Sequence, residues 1–248
     1  MVLLFAALVG TGGLYSALTS TSAQATSSDA SAQEISHGRQ LFLEGCATCH
    51  GLNAQGSANA PTLIGVGAAA VDFQVGTGRM PLARPGTEAE TKPVIYTQTE
   101  IDALAAYVAS LGAGPAIPSD DQLDLTGTNL QRGGELFRTN CAQCHNFAGE
   151  GGALAFGAYA PSITTATPKQ LYEAMLTGPE QMPVFADGTL TPQQKLDIIK
   201  FITTVRNEPN PGGLALGRLG PVTEGLFVWV VGLGAVIAVA IWIGVKVS

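Results

Sequence analysis

The segment Gly38 to His50, GRQLFLEGCATCH, recurs as Gly133 to His145, GGELFRTNCAQCH, with Gly, Leu, Phe, Cys, Ala, Cys and His coinciding at an offset of 95 residues. Self-similarity of this kind marks one supersecondary unit present twice. It also places all four cysteines at once, Cys46 and Cys49 in one unit, Cys141 and Cys144 in the other. Four cysteines permit two disulfides in an exported chain, or one zinc ion held by two Cys pairs. Neither reading gives a reason for His50 and His145, which complete C-x-x-C-H in both units, the signature of covalent c-type haem attachment. The spacing serves the chemistry, because two thiols add across the porphyrin vinyl groups and the adjoining imidazole is delivered to the iron. Two covalently bound haem c groups are therefore expected, one on Cys46, Cys49 and His50, the other on Cys141, Cys144 and His145.

The sixth iron ligand follows from counting. Of the 3 histidines two are already used, and the third, His37, reads as a surface residue at the start of the helix that leads into the haem motif. Methionine is the better donor. Met80 stands in Thr77-Gly78-Arg79-Met80-Pro81, and Met182 follows Thr177-Gly178 and precedes Pro183. A Met-Pro pair in an irregular loop is what projecting a thioether towards iron requires. Met175, at helical spacing in LYEAML, reads instead as core packing. The expected axial ligands are thus His50 with Met80 and His145 with Met182. His/Met ligation favours Fe(II) and raises the reduction potential. With both axial positions filled, no coordination site is left for oxygen or peroxide, which points to electron transfer and away from catalysis by this chain alone.

The composition sets the rest of the frame. Among 248 residues only 12% are charged, and the mean hydropathy is +0.26. This is unlike an ordinary soluble enzyme, and it excludes a disordered chain. The net charge of −7 offers no basic face for nucleic acid. Much of the hydropathy comes from Leu226 to Val245, LFVWVVGLGAVIAVAIWIGV, which has no ionisable side chain. As a helix it spans roughly 30 Å, a bilayer's hydrocarbon thickness. Trp229 and Trp242 lie near its ends, where indole rings favour the interface, and Lys246 follows.

Val2 to Leu18 is a weaker apolar run, of a length for either a short anchor or a signal segment, with Ala23-Gln24-Ala25 resembling a cleavage site. No Lys or Arg precedes Arg39, so a basic leader region is missing, and a retained anchor is expected. The reading by residue number is 1–18 anchor (or signal segment), 19–34 Ser/Thr-rich stalk, 35–111 first domain and 112–128 linker. It continues with 129–207 second domain, 208–221 Pro/Gly linker and 222–248 transmembrane helix. Two spans would put both domains on the export side of the cell membrane.

Each unit resembles a class I cytochrome c: a first helix with Gly and an aromatic (Gly38, Phe42; Gly134, Phe137), then CxxCH, then Pro61 or Pro161. The Met-Pro loop and a last helix bearing Tyr107 or Phe201 complete the pattern. The resemblance implies an all-α fold of two tandem domains, with the glycine admitting close contact of the terminal helices and the aromatics packing across them. Gly133 is an equally good candidate for that contact. It also implies that the carbonyls of Pro61 and Pro161 accept hydrogen bonds from His50 and His145.

From Gly38 to Val245 the chain is similar to the diheme cytochrome cc subunits of the actinobacterial menaquinol:cytochrome c reductase, the bcc complex. Stretches such as PTLIGVGAAAVDFQVGTGRMP and NCAQCHNFAGEGGAL carry this resemblance. It implies electron transfer from the Rieske iron–sulfur subunit, haem to haem, to the copper centre of a haem-copper oxidase. The cytochrome b subunit and membrane lipid are the other implied partners, in a dimeric complex without nucleic acid. A diheme subunit of a periplasmic dehydrogenase or oxidase would share every ligand named here. A diheme peroxidase would need one exchangeable ligand, which two Met-Pro contexts disfavour.

Overall fold

The computed structural model describes residues 30–84, 86, 88–208 and 221–247. The expected anchor 1–18 lies outside the described residues, as do most of the stalk 19–34 and of the linker 208–221. By its contacts the chain divides into two units, with the boundary between Ile117 and Pro118 and a short excursion at residues 86–88. Each unit is a small helical body built on the same plan.

In the first unit, helix α1 (Ala32–Gly45) opens where the Ser31 hydroxyl accepts the Glu34 N–H at 3.1 Å. That cap satisfies one of the four N–H groups a helix start leaves bare. The one-turn helix α2 (Ala47–His50) follows directly, then α3 (Ala68–Gly76) and α4 (Gln98–Ser110). A capping box of Thr97 and Glu100 starts α4. Helices α1 and α4 cross at Gly38, where an added Cβ would stand 1.9 Å from the Ala103 carbonyl oxygen. The rings of Phe42 and Tyr107 then meet at 5.3 Å, tilted by 49°. Around them Val71, Ile101, Leu104 and Val108 form the core. Full burial of a side chain such as Phe42 is worth about 1.5–3 kcal/mol.

The second unit repeats this with α5 (Leu130–Asn140), the one-turn α6 (Ala142–His145), α7 (Pro168–Thr177) and α8 (Pro192–Asn207). Capping boxes at Thr167/Gln170 and Thr191/Gln194, each followed by a proline in the first turn, fix the starts of α7 and α8. Of the two candidate glycines, Gly133 makes the helix contact: a Cβ there would lie 1.9 Å from the Asp197 carbonyl oxygen. A Cβ on Gly134 meets only the Phe201 ring at 3.1 Å and the tip of Arg138 at 3.2 Å. Phe137 and Phe201 pair at 5.3 Å and 41°.

Among the differences between the copies, two concern the fold. The stretch from His145 to Pro161 is longer than that from His50 to Pro61, 16 residues against 11. The extra length folds as a minimal antiparallel hairpin, β1 (Gly152–Ala153) with β2 (Tyr159–Ala160), a small departure from an all-helical body. Second, the α5–α8 crossing carries a buried carboxylate. Asp197 accepts the Asn129 N–H at 2.8 Å, the Arg132 Nε–H and the Gln193 amide at 3.3 Å. Burial alone would push Asp197 up, but these donors outweigh it and hold its carboxyl below the usual carboxylate range.

The segment joining the units packs at both ends. Pro115 O accepts the Ala69 N–H at 3.1 Å and Ile117 lies on the first core. Leu123 and Leu125 lie on the second core. At the C-terminus a continuous helix runs through α9 (Pro221–Phe227), a π-helical segment (Val228–Leu233) and α10 (Gly234–Val247). Within Thr223–Lys246 an 18-residue window reaches a mean hydropathy of 2.7 with none of it buried inside the protein, which suits a span whose solvent is lipid. Lys246 Nζ sits 4.7 Å from the Trp242 ring centre, pairing a charge with an interfacial indole.

Gly133→Ala should destabilise the second domain by about 1–3 kcal/mol or more through overpacking, and Gly134→Ala by less, as read from denaturant midpoints. The Asp197 network contributes fully above about pH 4, and its contribution is lost as pH falls through the depressed native value. Asp197→Ala should therefore abolish this part of the acid destabilisation when midpoints at neutral and acid pH are compared.

Candidate haem sites

Each CxxCH motif occupies a single helical turn entered through its first cysteine. His50 N–H donates to Cys46 O at 3.0 Å, and His145 N–H to Cys141 O at 2.9 Å. One turn is the length that sets the second cysteine three residues on, over the first. All four thiols are free of disulfide bonds. Cys46 and Cys141 are half-buried, while Cys49 and Cys144 are exposed. Burial, with the neighbouring cysteine as a smaller cause, pushes Cys46 up to about 11 and Cys141 up to about 12.

The imidazoles are held alike. His50 Nδ1 lies 2.9 Å from Pro61 O, and His145 Nδ1 lies 3.0 Å from Pro161 O. A carbonyl can only accept, so Nδ1 carries the proton and Nε2 keeps its lone pair for a metal. His50 is buried. Burial lowers the pKa of His145 more than the Pro161 contact raises it, which favours the neutral imidazole that binds metals.

After each histidine the chain turns left-handed, at Gly51 (φ 81°) and at Asn146 (φ 64°). It then bonds back, Gly56 N–H to His50 O at 2.8 Å and Gly151 N–H to His145 O at 3.0 Å. Gly56 and Gly151 are site residues that the motif reading passed over. A Cβ on Gly56 would meet Thr62 N at 2.7 Å, and one on Gly151 would meet Ala160 O at 2.3 Å and Pro161 C at 2.8 Å. Both sit at positive φ, 87° and 83°. Without a side chain they let the proline segment reach the imidazole. The signal was present in the repeat, since each glycine lies six residues beyond its histidine.

Against each core also packs a half-buried methionine. Beyond α3, Met80 N–H donates to Gln74 O at 2.9 Å, and Met80 packs, half-buried, on the same core as Cys46. Beyond α7, Gly178 takes the left-handed capping conformation (φ 57°). Met182 N–H then donates to Pro179 O at 3.0 Å, and Met182 packs with Cys141 on the second core. Met175 is 4% exposed inside that core, and His37 is exposed on α1.

Among the described residues no group of three or more His, Cys, Asp or Glu side chains is arranged to hold a bare metal ion. A donor set of one imidazole and one thioether per domain fits an iron whose other four ligands come from a porphyrin. The paired thiols fit its covalent attachment.

Residues 35–112 match the family described as Cytochrome c, and residues 128–202 match Cytochrome C oxidase, cbb3-type, subunit III. The chain is 45% identical over 99% of its length to the cytochrome bc1 complex cytochrome c subunit of Mycobacterium leprae, covering 87% of that protein. It is also 45% identical to the corresponding subunit of Mycobacterium tuberculosis, over 99% of this chain and 90% of that one. With the subunit of Corynebacterium efficiens the identity is 45%, over 96% and 85%. The chain belongs to the family of cytochrome bc1 complex cytochrome c subunits, and both of its folded units are cytochrome c domains.

Gly151→Ala should strain the left-handed backbone by about 1–3 kcal/mol, and speed amide hydrogen exchange across Gly151 to Ile163 roughly tenfold or more. Gly152→Ala, whose Cβ would have Cys144 O at 3.5 Å as its nearest neighbour, should leave that exchange unchanged.

Proposed function

We propose that this family member is the membrane-anchored diheme cytochrome c of a bcc-type quinol:cytochrome c reductase. It relays electrons from the Rieske iron–sulfur subunit through two His/Met haems to the copper centre of a haem-copper oxidase in a respiratory supercomplex. The observation that carries the reading is one arrangement present twice: a CxxCH turn, an imidazole bonded through Nδ1 to a proline carbonyl, and a methionine on the same core as the first cysteine.

Covalently bound haem c supplies a one-electron Fe(III)/Fe(II) couple. The chain's residues do the rest. Cys46, Cys49, Cys141 and Cys144 form the thioether links. His50 and His145 offer Nε2, with the ring plane and tautomer held by Pro61 and Pro161. Met80 and Met182 offer thioether sulfur, which raises both potentials. Phe42 and Phe137 lie fully buried in the apolar cores against which Cys46 with Met80 and Cys141 with Met182 pack.

Residues 35–111 and 129–207 are the two haem domains, and the helix within 222–248 anchors them, with 1–18 as a second span. Two spans put both domains on the extracytoplasmic side. Tethering replaces a diffusing carrier by a local one, a gain in effective concentration that requires no new contact. Menaquinol oxidation and proton release belong to the cytochrome b and Rieske partners of a dimeric complex.

A pyridine haemochrome assay of the purified complex should give two covalent haems per copy of this chain, with cytochrome b, Rieske and oxidase subunits co-purifying. Fewer than two haems, or a dehydrogenase in their place, would overturn the reading. Met80→His and Met182→His should each lower one midpoint potential in a redox titration, and a variant that shifts neither is not altering a ligand.

A further inference from the structure

We propose that Lys92 is a positioning residue for the Met80 thioether, acting through the backbone of the Met80 loop. The inference rests on the reading of Met80 as an axial ligand. Past α3 the chain leaves the helix at Thr77, so the carbonyls of Gly78 and Arg79 have no helical N–H to receive. Lys92 Nζ donates to both, at 2.7 Å and 3.0 Å. Its own backbone lies against the same loop. A Cβ on Gly78, at φ 72°, would stand 1.8 Å from Lys92 O, an approach open only to glycine.

On the opposite side the loop is held by α3. Met80 N–H donates to Gln74 O at 2.9 Å, and the Arg79 guanidinium lies 4.9 Å from the centre of the Phe73 ring. The two peptide units before Met80 are thus clamped between a helix end and an ammonium that arrives from the far side of the irregular stretch after Pro81. An ammonium donating to carbonyls makes stronger bonds than a neutral donor does. A half-buried amine loses hydration, and these two carbonyls replace it. Together these contacts narrow the range of positions the Met80 sulfur can reach.

The second domain closes its loop differently. Met182 N–H donates to Pro179 O at 3.0 Å and Phe185 N–H to Met175 O at 2.8 Å. Its buried amine, Lys195, is turned to Asp187 Oδ1 at 2.6 Å. Removing the Lys92 amine therefore acts on one haem of the two.

The test uses the intact complex carrying Lys92→Leu, which keeps an apolar stem and removes the donors, beside Lys92→Arg, which restores a cationic donor. Three readings are taken: covalent haem count, the weak far-red charge-transfer band of thioether-bound ferric haem, and both midpoint potentials. With two haems retained, Lys92→Leu should lose up to half of the band and lower one midpoint while the other stays, and Lys92→Arg should recover both. An unchanged band and unchanged midpoints in Lys92→Leu would overturn the proposal, as would equal shifts of both midpoints. If Lys92→Leu does not assemble, Lys92→Gln, with a neutral donor, is read on the same band with the same two outcomes. Met80→Ala separates the two claims: a band left whole there removes Met80 as ligand, whereas a band halved there but whole in Lys92→Leu removes only the clamp.

Discussion

The contact of backbone with backbone where the first and last helices of each domain cross governs the rest of the structure. At Gly38 and at Gly133 an added methyl group would stand 1.9 Å from a carbonyl oxygen of the facing helix. Only glycine permits that distance. Because the CxxCH turn continues directly from the first helix, the crossing also fixes where the thiols and the imidazole begin. The aromatic pairs Phe42–Tyr107 and Phe137–Phe201, both at 5.3 Å, lock the same crossing one turn further along. The haem-binding geometry is in this sense a consequence of helix packing.

The imidazole is then set by main chain. A proline carbonyl receives Nδ1–H in both domains, and the proline segment reaches it only because Gly56 and Gly151 present no side chain. Main-chain groups hold position better than long side chains, which must surrender rotamer freedom to do so. The methionine side is solved twice in different ways, with Lys92 donating to two loop carbonyls in the first domain and a left-handed helix cap in the second. The duplicated domains thus agree where the imidazole is held and diverge at the methionine loop.

Much of this was legible in the residues. The repeat located both thiol pairs and both histidines, and the Met-Pro contexts set Met80 and Met182 apart from Met175, which lies in the second core. The apolar run from Leu226 marked the C-terminal span, now seen as one helix exposed along its length. What was not legible has a common character. The hairpin of Gly152–Ala153 with Tyr159–Ala160 arises from five extra residues whose pairing depends on where their ends are held. Asp197 and Lys92 look like ordinary surface charges in the sequence, yet Asp197 meets Arg132 from 65 residues away, and Lys92 meets Arg79 and Gly78 from 13 and 14.

The amino-acid sequence by itself determined the chemistry: which residues offer thiol, imidazole and thioether donors, that the unit occurs twice, and that one end is long and apolar enough to cross a bilayer. Each of these follows from residue type and short spacing, which are local quantities. The tertiary structure alone decided which donors Asp197 meets across the α5–α8 crossing and which amine holds the Met80 loop. Those are meetings of groups far apart along the chain, and the distances that select them exist only once the helices have packed.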